Sequence, residues 1–338
     1  MRALVYTAVK KVEMRDFPDP QAAGGEVVVR VRATGICGSD LHGFLGHQKR
    51  RQPGLVLGHE TLGIVESGPE NLAGRRVSVN PLLTCGECSA CRSGRQNCCR
   101  SWRLLGLDTT HGGFAERVAV PMRNVFPLPD HVSDAAAVMV EPLANAIHLL
   151  SMVPNHAGLL PSVAIVGAGT LGAAILAVAR IRGLNVVLVT ETNPKRTDVA
   201  KELGAPVVLN PLETDWVAEA RRMTDGVGVD VAIDAVGLAR TRIEAADAVA
   251  KGGTVLLLGL DEGPTTLDFQ DLVRREVRLQ CSFAYTDRDF AEALSLVVSG
   301  RASFEKWTDL VPMDQGQSAF DRLVTDPGDR LKIALVPG

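Results

Sequence analysis

The stretch Ser162-Val163-Ala164-Ile165-Val166-Gly167-Ala168-Gly169-Thr170-Leu171-Gly172 joins an apolar, strand-like run to a glycine turn and then to a helical pattern reaching Ile181. A GxGxxG match by itself is weak. Here it follows a strand and opens a helix, and Glu191 lies about 20 residues on, at the end of a second apolar run, which is the context a dinucleotide-binding turn requires. The glycines allow a tight turn and close approach to a pyrophosphate, toward which the helix start points its N–H groups. The rhythm continues through Val186 to Val189, Thr197 to Leu203, Val207 to Leu209, Val229 to Ile233 and Thr254 to Leu258. Strands alternating with helices predict a doubly wound parallel sheet, an α/β fold. The apolar run Leu159 to Ala179 imitates a membrane span, but Pro161, three glycines and two hydroxyl residues break it, so a buried βα unit accounts for it better.

Glu191 also bears on the choice of cofactor. Its carboxylate can accept hydrogen bonds from the adenosine ribose and repels a 2′-phosphate, which favours NAD over NADP. Lys195 and Arg196 follow closely and keep a phosphate-binding alternative open; a solvated first helical turn, or an Arg covering the adenine, are the other readings.

Before this region the chain is β-rich. Short alternating runs (Val27 to Arg32, Leu62 to Glu66, Val77 to Asn80, Ala115 to Val120) are separated by Gly, Pro and Asn, as in a barrel or rolled sheet. A chain of 338 residues, 46% hydrophobic, is too long for one typical domain, so two are expected. A net charge of -3 and a pI near 6.2 give no electrostatic reason for nucleic acid or an anionic membrane as partner. Small molecules and copies of the same chain are the expected partners. The N-terminus has no apolar signal core, and a cytoplasmic protein is expected.

Four of the seven cysteines form one cluster, Cys85-Gly-Glu-Cys88-Ser-Ala-Cys91 followed by Cys99. Four thiolates close a tetrahedral site with no open position, as a structural zinc requires. An iron-sulfur cluster would use the same ligands, but the last gap fits neither ferredoxin pattern. Cys98, beside Cys99, complicates the choice of the fourth ligand. A second constellation centres on Gly35-Ile36-Cys37-Gly38-Ser39-Asp40-Leu41-His42, with Gly58-His59-Glu60 and Glu141 further on. One thiolate, one imidazole and carboxylates suit a zinc ion with an open position. Glu141 precedes Pro142 and can equally be the acid of a helix N-terminus.

Jointly these marks, with His111-Gly-Gly-Phe114-Ala-Glu116 and Glu141-Pro-Leu-Ala-Asn145, resemble the zinc-dependent medium-chain dehydrogenase/reductase family, in its sorbitol and L-threonine dehydrogenase-like branch, over essentially the whole length. The resemblance implies a GroES-like catalytic domain over 1–147 with a structural zinc lobe at about 85–99, a Rossmann domain over 148–284, and a return to the catalytic domain over 285–338. It selects Cys99 over Cys98 as the fourth structural ligand. It implies two zinc ions per chain: one structural, one catalytic on Cys37 and His59, with Glu60 and Glu141 as candidate carboxylate ligands. Zinc would act as a Lewis acid while hydride passes between a secondary alcohol or polyol and NAD(H). Ser39 would take the proton and His42 release it, with Glu60 beside the metal and Asp40 structural. Gly167, Gly169, Thr170, Leu171, Gly172, Glu191, Arg196, Leu258, Gly259, Leu260, Phe283 and Ala284 would contact the nucleotide. Phe44, Phe114 and Glu141 would line the substrate pocket. The basic loop of His47, Lys49, Arg50 and Arg51 reads as solvated or as a contact for an anionic or polyhydroxyl substrate. Sorbitol dehydrogenases have Arg-Tyr where this chain has Ala284-Tyr285, which weakens a strict polyol assignment. L-threonine or sugar-phosphate oxidation is the alternative. A zinc-free reductase would lack Cys37, His59 and Glu60, and a non-catalytic NAD-binding protein would be expected to lose Ser39 and His42. The run Glu276 to Ser282 resembles the strand through which such enzymes dimerise, so a homodimer or homotetramer is expected.

Overall fold

The computed structural model describes residues 1–154, 160–261 and 263–338; the Leu159 end of the apolar run lies outside them. The chain divides into two compact units, one of Met1–Ala144 with Tyr285–Gly338 and one of Asn145–Ala284.

In the second unit six parallel strands lie in the order Val208–Leu209, Asn185–Thr190, Ser162–Val166, Val229–Asp234, Val249–Leu257, Arg278–Cys281. Numbered along the chain this is 3-2-1-4-5-6, the doubly wound order. The central strands read as unbroken Val, Ile, Ala and Leu because both faces are covered; Val163 to Val166 are all buried. The helices between strands start at definite signals. Asn193 accepts N–H bonds from Lys195 and Arg196 ahead of Pro194 in the first turn, and Asp215 accepts from Ala218.

In the first unit a seven-stranded sheet is built around the strand Glu26–Gly35. Its Val27, Val29 and Val31 point into one apolar cluster while Arg30 and Arg32 face solvent, the period-2 pattern of a half-covered strand. Glu60–Ser67, Arg117–Pro121 and Lys332–Val336 pair with it antiparallel. The last of these belongs to the chain's tail, so residues nearly 300 apart in sequence share one sheet. A second apolar cluster, under the hairpin of Arg2–Ala8 and Lys11–Asp16, gathers Tyr6, Phe44, Phe114, Phe320 and Ile333.

Two glycines of the turn at 167–172 are sterically required. Gly167 has φ +92°, and a Cβ on Gly172 would lie 1.9 Å from the Gly167 carbonyl oxygen, a backbone atom that cannot step aside. Gly172→Ala should therefore push the helix Thr170–Ile181 off its strand, destabilise the protein by about 1–3 kcal/mol, and lower the urea midpoint together with NADH affinity in a fluorescence titration.

Candidate active site

Cys37 ends the loop after the strand Glu26–Gly35 and precedes the short helix Gly38–Phe44. His59 and Glu60 sit where the neighbouring strand begins, with Glu60 opposite Gly35 in the ladder. The ladder thus brings a thiolate, an imidazole and a carboxylate together, with ligand atoms all within 4.8 Å of one another. Gly35 makes the room: a Cβ there would stand 2.0 Å from Glu60 Oε2.

Lys332 donates to Glu60 Oε1 at 2.6 Å and to the Ile36 carbonyl at 3.1 Å. Both side chains are about 1% exposed. Burial opposes the Lys332 charge most strongly, but Glu60, Cys37 and Glu141 together outweigh it and raise the lysine's pKa. The other oxygen, Oε2, is buried without a hydrogen-bond partner among the described residues, as is Nδ1 of His59. A buried carboxylate oxygen left unpaired beside a thiol and an imidazole is costly unless something cationic binds it. The donor set fits zinc with an open fourth position.

Asp40 supports this cluster from beneath. It accepts the Cys37 N–H at 3.1 Å through Oδ2, and Oδ1 lies 3.6 Å from His59 Nδ1 and 3.4 Å from the Arg51 guanidinium. Burial works to raise its pKa, but the charges of His59 and Arg51 and the Cys37 N–H overcome that and hold it at about 2. Asp40 thus fills the structural role expected from sequence, accepting the N–H of the residue that caps its own helix, and is also the carboxylate behind a candidate ligand histidine.

The other expected residues fall into three groups. Ser39 and His42 are half-buried on the same helix, three residues apart, the first accepting a hydrogen bond from Arg51 at 3.0 Å. Glu141 does not join the 4.8 Å cluster; its charge acts on Glu60 and on the buried Tyr285, whose pKa is raised well above 10 by burial and then by Glu141. Phe44 and Phe114 depart from the expected pocket lining. Each is 1% exposed and packs on Phe320, at 4.9 and 5.9 Å between ring centroids, because the apolar cluster under the hairpin needs their volume. The basic loop is exposed at His47, Lys49 and Arg50, where Arg50 binds Asp108 and lies over Trp102, and departs from the solvated reading only at Arg51, which is buried. Sequence reasoning passed over Lys332, although a lone lysine inside Leu331-Lys-Ile-Ala-Leu-Val336 is a visible signal of a buried partner.

The thiols of Cys85, Cys88, Cys91 and Cys99 also lie within 4.8 Å of one another, while Cys98 is exposed. Neighbouring sulfurs are 3.5 to 3.8 Å apart. Four sulfurs about 2.3 Å from one tetrahedral zinc would stand about 3.8 Å apart, so the spacing fits. N–H groups of Cys88 and Glu87 lower the Cys85 pKa to about 6, and burial pushes Cys91 up to about 12.

In the second unit Gly167, Glu191, Leu258 and Phe283 all follow C-terminal ends of parallel strands, where ligands of this sheet type bind. Thr170 and Leu171 open the helix, Gly259 packs on Gly237, and Leu260 and Phe283 are exposed, next to Ala284 at φ +49°. Glu191 accepts N–H bonds from Ala168 at 2.9 Å and Asn193 at 2.8 Å, tying the second strand to the glycine turn. Among the described residues a Cβ on Gly169 would meet only the Arg196 guanidinium, at 3.8 Å, leaving room of the kind a pyrophosphate fills.

The Lys332–Glu60 pair can be tested by stability. Lys332→Met leaves a buried carboxylate unpaired and should cost about 3–5 kcal/mol in urea unfolding, part of it recovered in the Lys332→Met, Glu60→Gln double variant.

Comparison with known proteins agrees with this chemistry. Residues 23–130 match the alcohol dehydrogenase GroES-like domain, and residues 170–299 match the zinc-binding dehydrogenase family. L-threonine 3-dehydrogenase of Pyrococcus horikoshii is 39% identical over 77% of this chain and 76% of its own length. Sorbitol dehydrogenase of Bacillus subtilis is 30% identical over 100% of this chain and 97% of its own. An alcohol dehydrogenase from Escherichia coli CFT073, solved with NADH, superposes with a TM-score of 0.90 at 26% identity over 99% of each chain. The chain belongs to the zinc-dependent medium-chain dehydrogenase/reductase family.

Proposed function

We propose that this protein transfers a hydride between a secondary alcohol or polyol, or the matching ketone, and NAD(H). The observation that carries the reading is the meeting of Cys37, His59 and a half-paired Glu60 within 4.8 Å. These three residues hold a catalytic zinc, and Cys85, Cys88, Cys91 and Cys99 hold a structural one. When bound, the catalytic zinc supplies Lewis-acid polarisation of the substrate oxygen. Lys332 keeps one Glu60 oxygen engaged and the other free for the metal. Asp40 orients His59. Ser39 takes the alcohol proton and His42 releases it to solvent. Glu141, whose charge acts on Glu60 and on the buried Tyr285, offers a polar contact to further substrate hydroxyls.

Gly167, Gly169 and Gly172 admit the pyrophosphate, and Glu191 receives the adenosine ribose hydroxyls. A carboxylate fixed by two N–H groups repels a 2′-phosphate, which favours NAD over NADP. The 39% identity to an L-threonine 3-dehydrogenase supports a second reading, oxidation of a 2-amino-3-hydroxy acid. No helix among the described residues is long and apolar enough to cross a membrane. The mostly exposed strand Arg278–Cys281 ends its sheet and offers an edge for pairing with a second copy, as homodimer or homotetramer.

Three measurements test this. Metal analysis should find two zinc per chain in the wild type and one in Cys37→Ala; one zinc, unaffected by that substitution, refutes the catalytic site. A reduction screen over secondary alcohols, polyols, sugar phosphates and 2-amino-3-hydroxy acids should give turnover with NAD at a higher kcat/KM than with NADP, a preference that narrows in Glu191→Gln. Equilibrium sedimentation should return a dimer or tetramer, and a monomer sinks that inference.

A further inference from the structure

Arg51 is 3% exposed, yet the reaction above gives it no part. Its guanidinium donates to Ser39 Oγ at 3.0 Å and lies 3.4 Å from Asp40 Oδ1, while its Nε is buried without a hydrogen-bond partner among the described residues. The stem runs along the helix Gly38–Phe44, where Gly43 is buried and a Cβ would stand 2.3 Å from Arg51 Cδ. A glycine there is what lets the arginine in. Buried ion pairs add little net stability, and one with an unsatisfied N–H adds less, so stability does not explain the arrangement.

We propose that Arg51 is a positioning residue for proton transfer: its buried guanidinium, admitted by Gly43, fixes the Ser39 hydroxyl so that it accepts one proton and donates one in a single direction. A serine hydroxyl has one proton and two lone pairs, and a guanidinium only donates. Arg51 therefore occupies one lone pair and turns the O–H away from itself. One lone pair and one O–H remain. A proton from the alcohol enters on the free lone pair as the original proton leaves along the O–H bond, so Ser39 ends uncharged and no other reactant is consumed. By binding Asp40 as well, the same side chain couples the hydroxyl to the carboxylate that holds the Cys37 N–H and faces His59.

The inference rests on the alcohol oxidation proposed above, and its test separates the two. With the zinc-loaded enzyme and the best alcohol from the screen, Arg51→Met should lower kcat 10-fold or more with KM changed less than threefold and two zinc per chain retained. Arg51→Lys should recover part of kcat. Ser39→Ala combined with Arg51→Met should be no slower than Ser39→Ala alone, since both remove the same step. Gly43→Ala displaces the arginine without touching any charge and should lower kcat in the same direction, which keeps the test open if Arg51→Met folds poorly. A kcat within twofold of wild type in Arg51→Met or Gly43→Ala, or additive losses in the double variant, would overturn the proposal. If the wild type oxidises no alcohol, the reaction is wrong and the crystal structure of Arg51→Met decides the contact: a displaced Ser39 Oγ supports the positioning role, an unmoved one refutes it.

Discussion

The pairing of one strand, Glu26–Gly35, governs what the first unit can do. At Gly35 the ladder holds Glu60 on one side and Ala334 on the other. That register places the Glu60 carboxylate where a side chain on residue 35 would be, beside the thiol of Cys37 and within reach of Lys332. A slip of one residue would turn Glu60 to the opposite face and scatter the cluster. The clustering of these candidate ligands is therefore a consequence of β-sheet register, and the tail of the chain takes part by supplying a strand and a cation.

Charge burial is arranged in layers around this register. Nearest the ligand atoms, Lys332 balances Glu60. One layer out, Asp40 stands between His59 and Arg51. Each of these buried charges faces an opposite one, and of the atoms left without a hydrogen bond among the described residues, Glu60 Oε2 and His59 Nδ1 belong to the cluster itself, while Asp40 Oδ1 and Arg51 Nε lie in the layer behind it. The four-cysteine lobe works differently, since its thiols and local N–H groups form a closed set with no position to spare. The four-thiol set suits a closed metal site, and the Cys37, His59 and Glu60 set suits one with an open position.

In the second unit the same economy operates with glycine. Backbone crowding at Gly172 and the positive φ of Gly167 bend the chain so that the open side at Gly169 faces a space bordered by Arg196. Glu191 then braces the turn by accepting the Ala168 N–H. One carboxylate stabilises the loop and, in the function proposed above, also bears on which nucleotide is accepted.

Motifs whose ligands are close in sequence were legible without coordinates. The cysteine cluster, the glycine turn followed by Glu191, and the neighbours Cys37, Ser39 and Asp40 each declare themselves through spacing, because short chain segments constrain where their side chains can go. Alternation of apolar residues also exposed the strands and the parallel sheet. Other features were set by contacts across long sequence separations, which spacing does not encode. Phe44 and Phe114 look like pocket residues in the chain but fill a core whose third wall, Phe320, comes from the tail. Arg51 reads as one charge in a solvated loop until the fold lays its stem over Gly43. Lys332 gains meaning only when its strand pairs beside Gly35. Local sequence thus determined which chemical groups are present and which backbone turns carry them, whereas tertiary structure decided which charges are buried against one another, because burial depends on packing between segments that are distant in the chain.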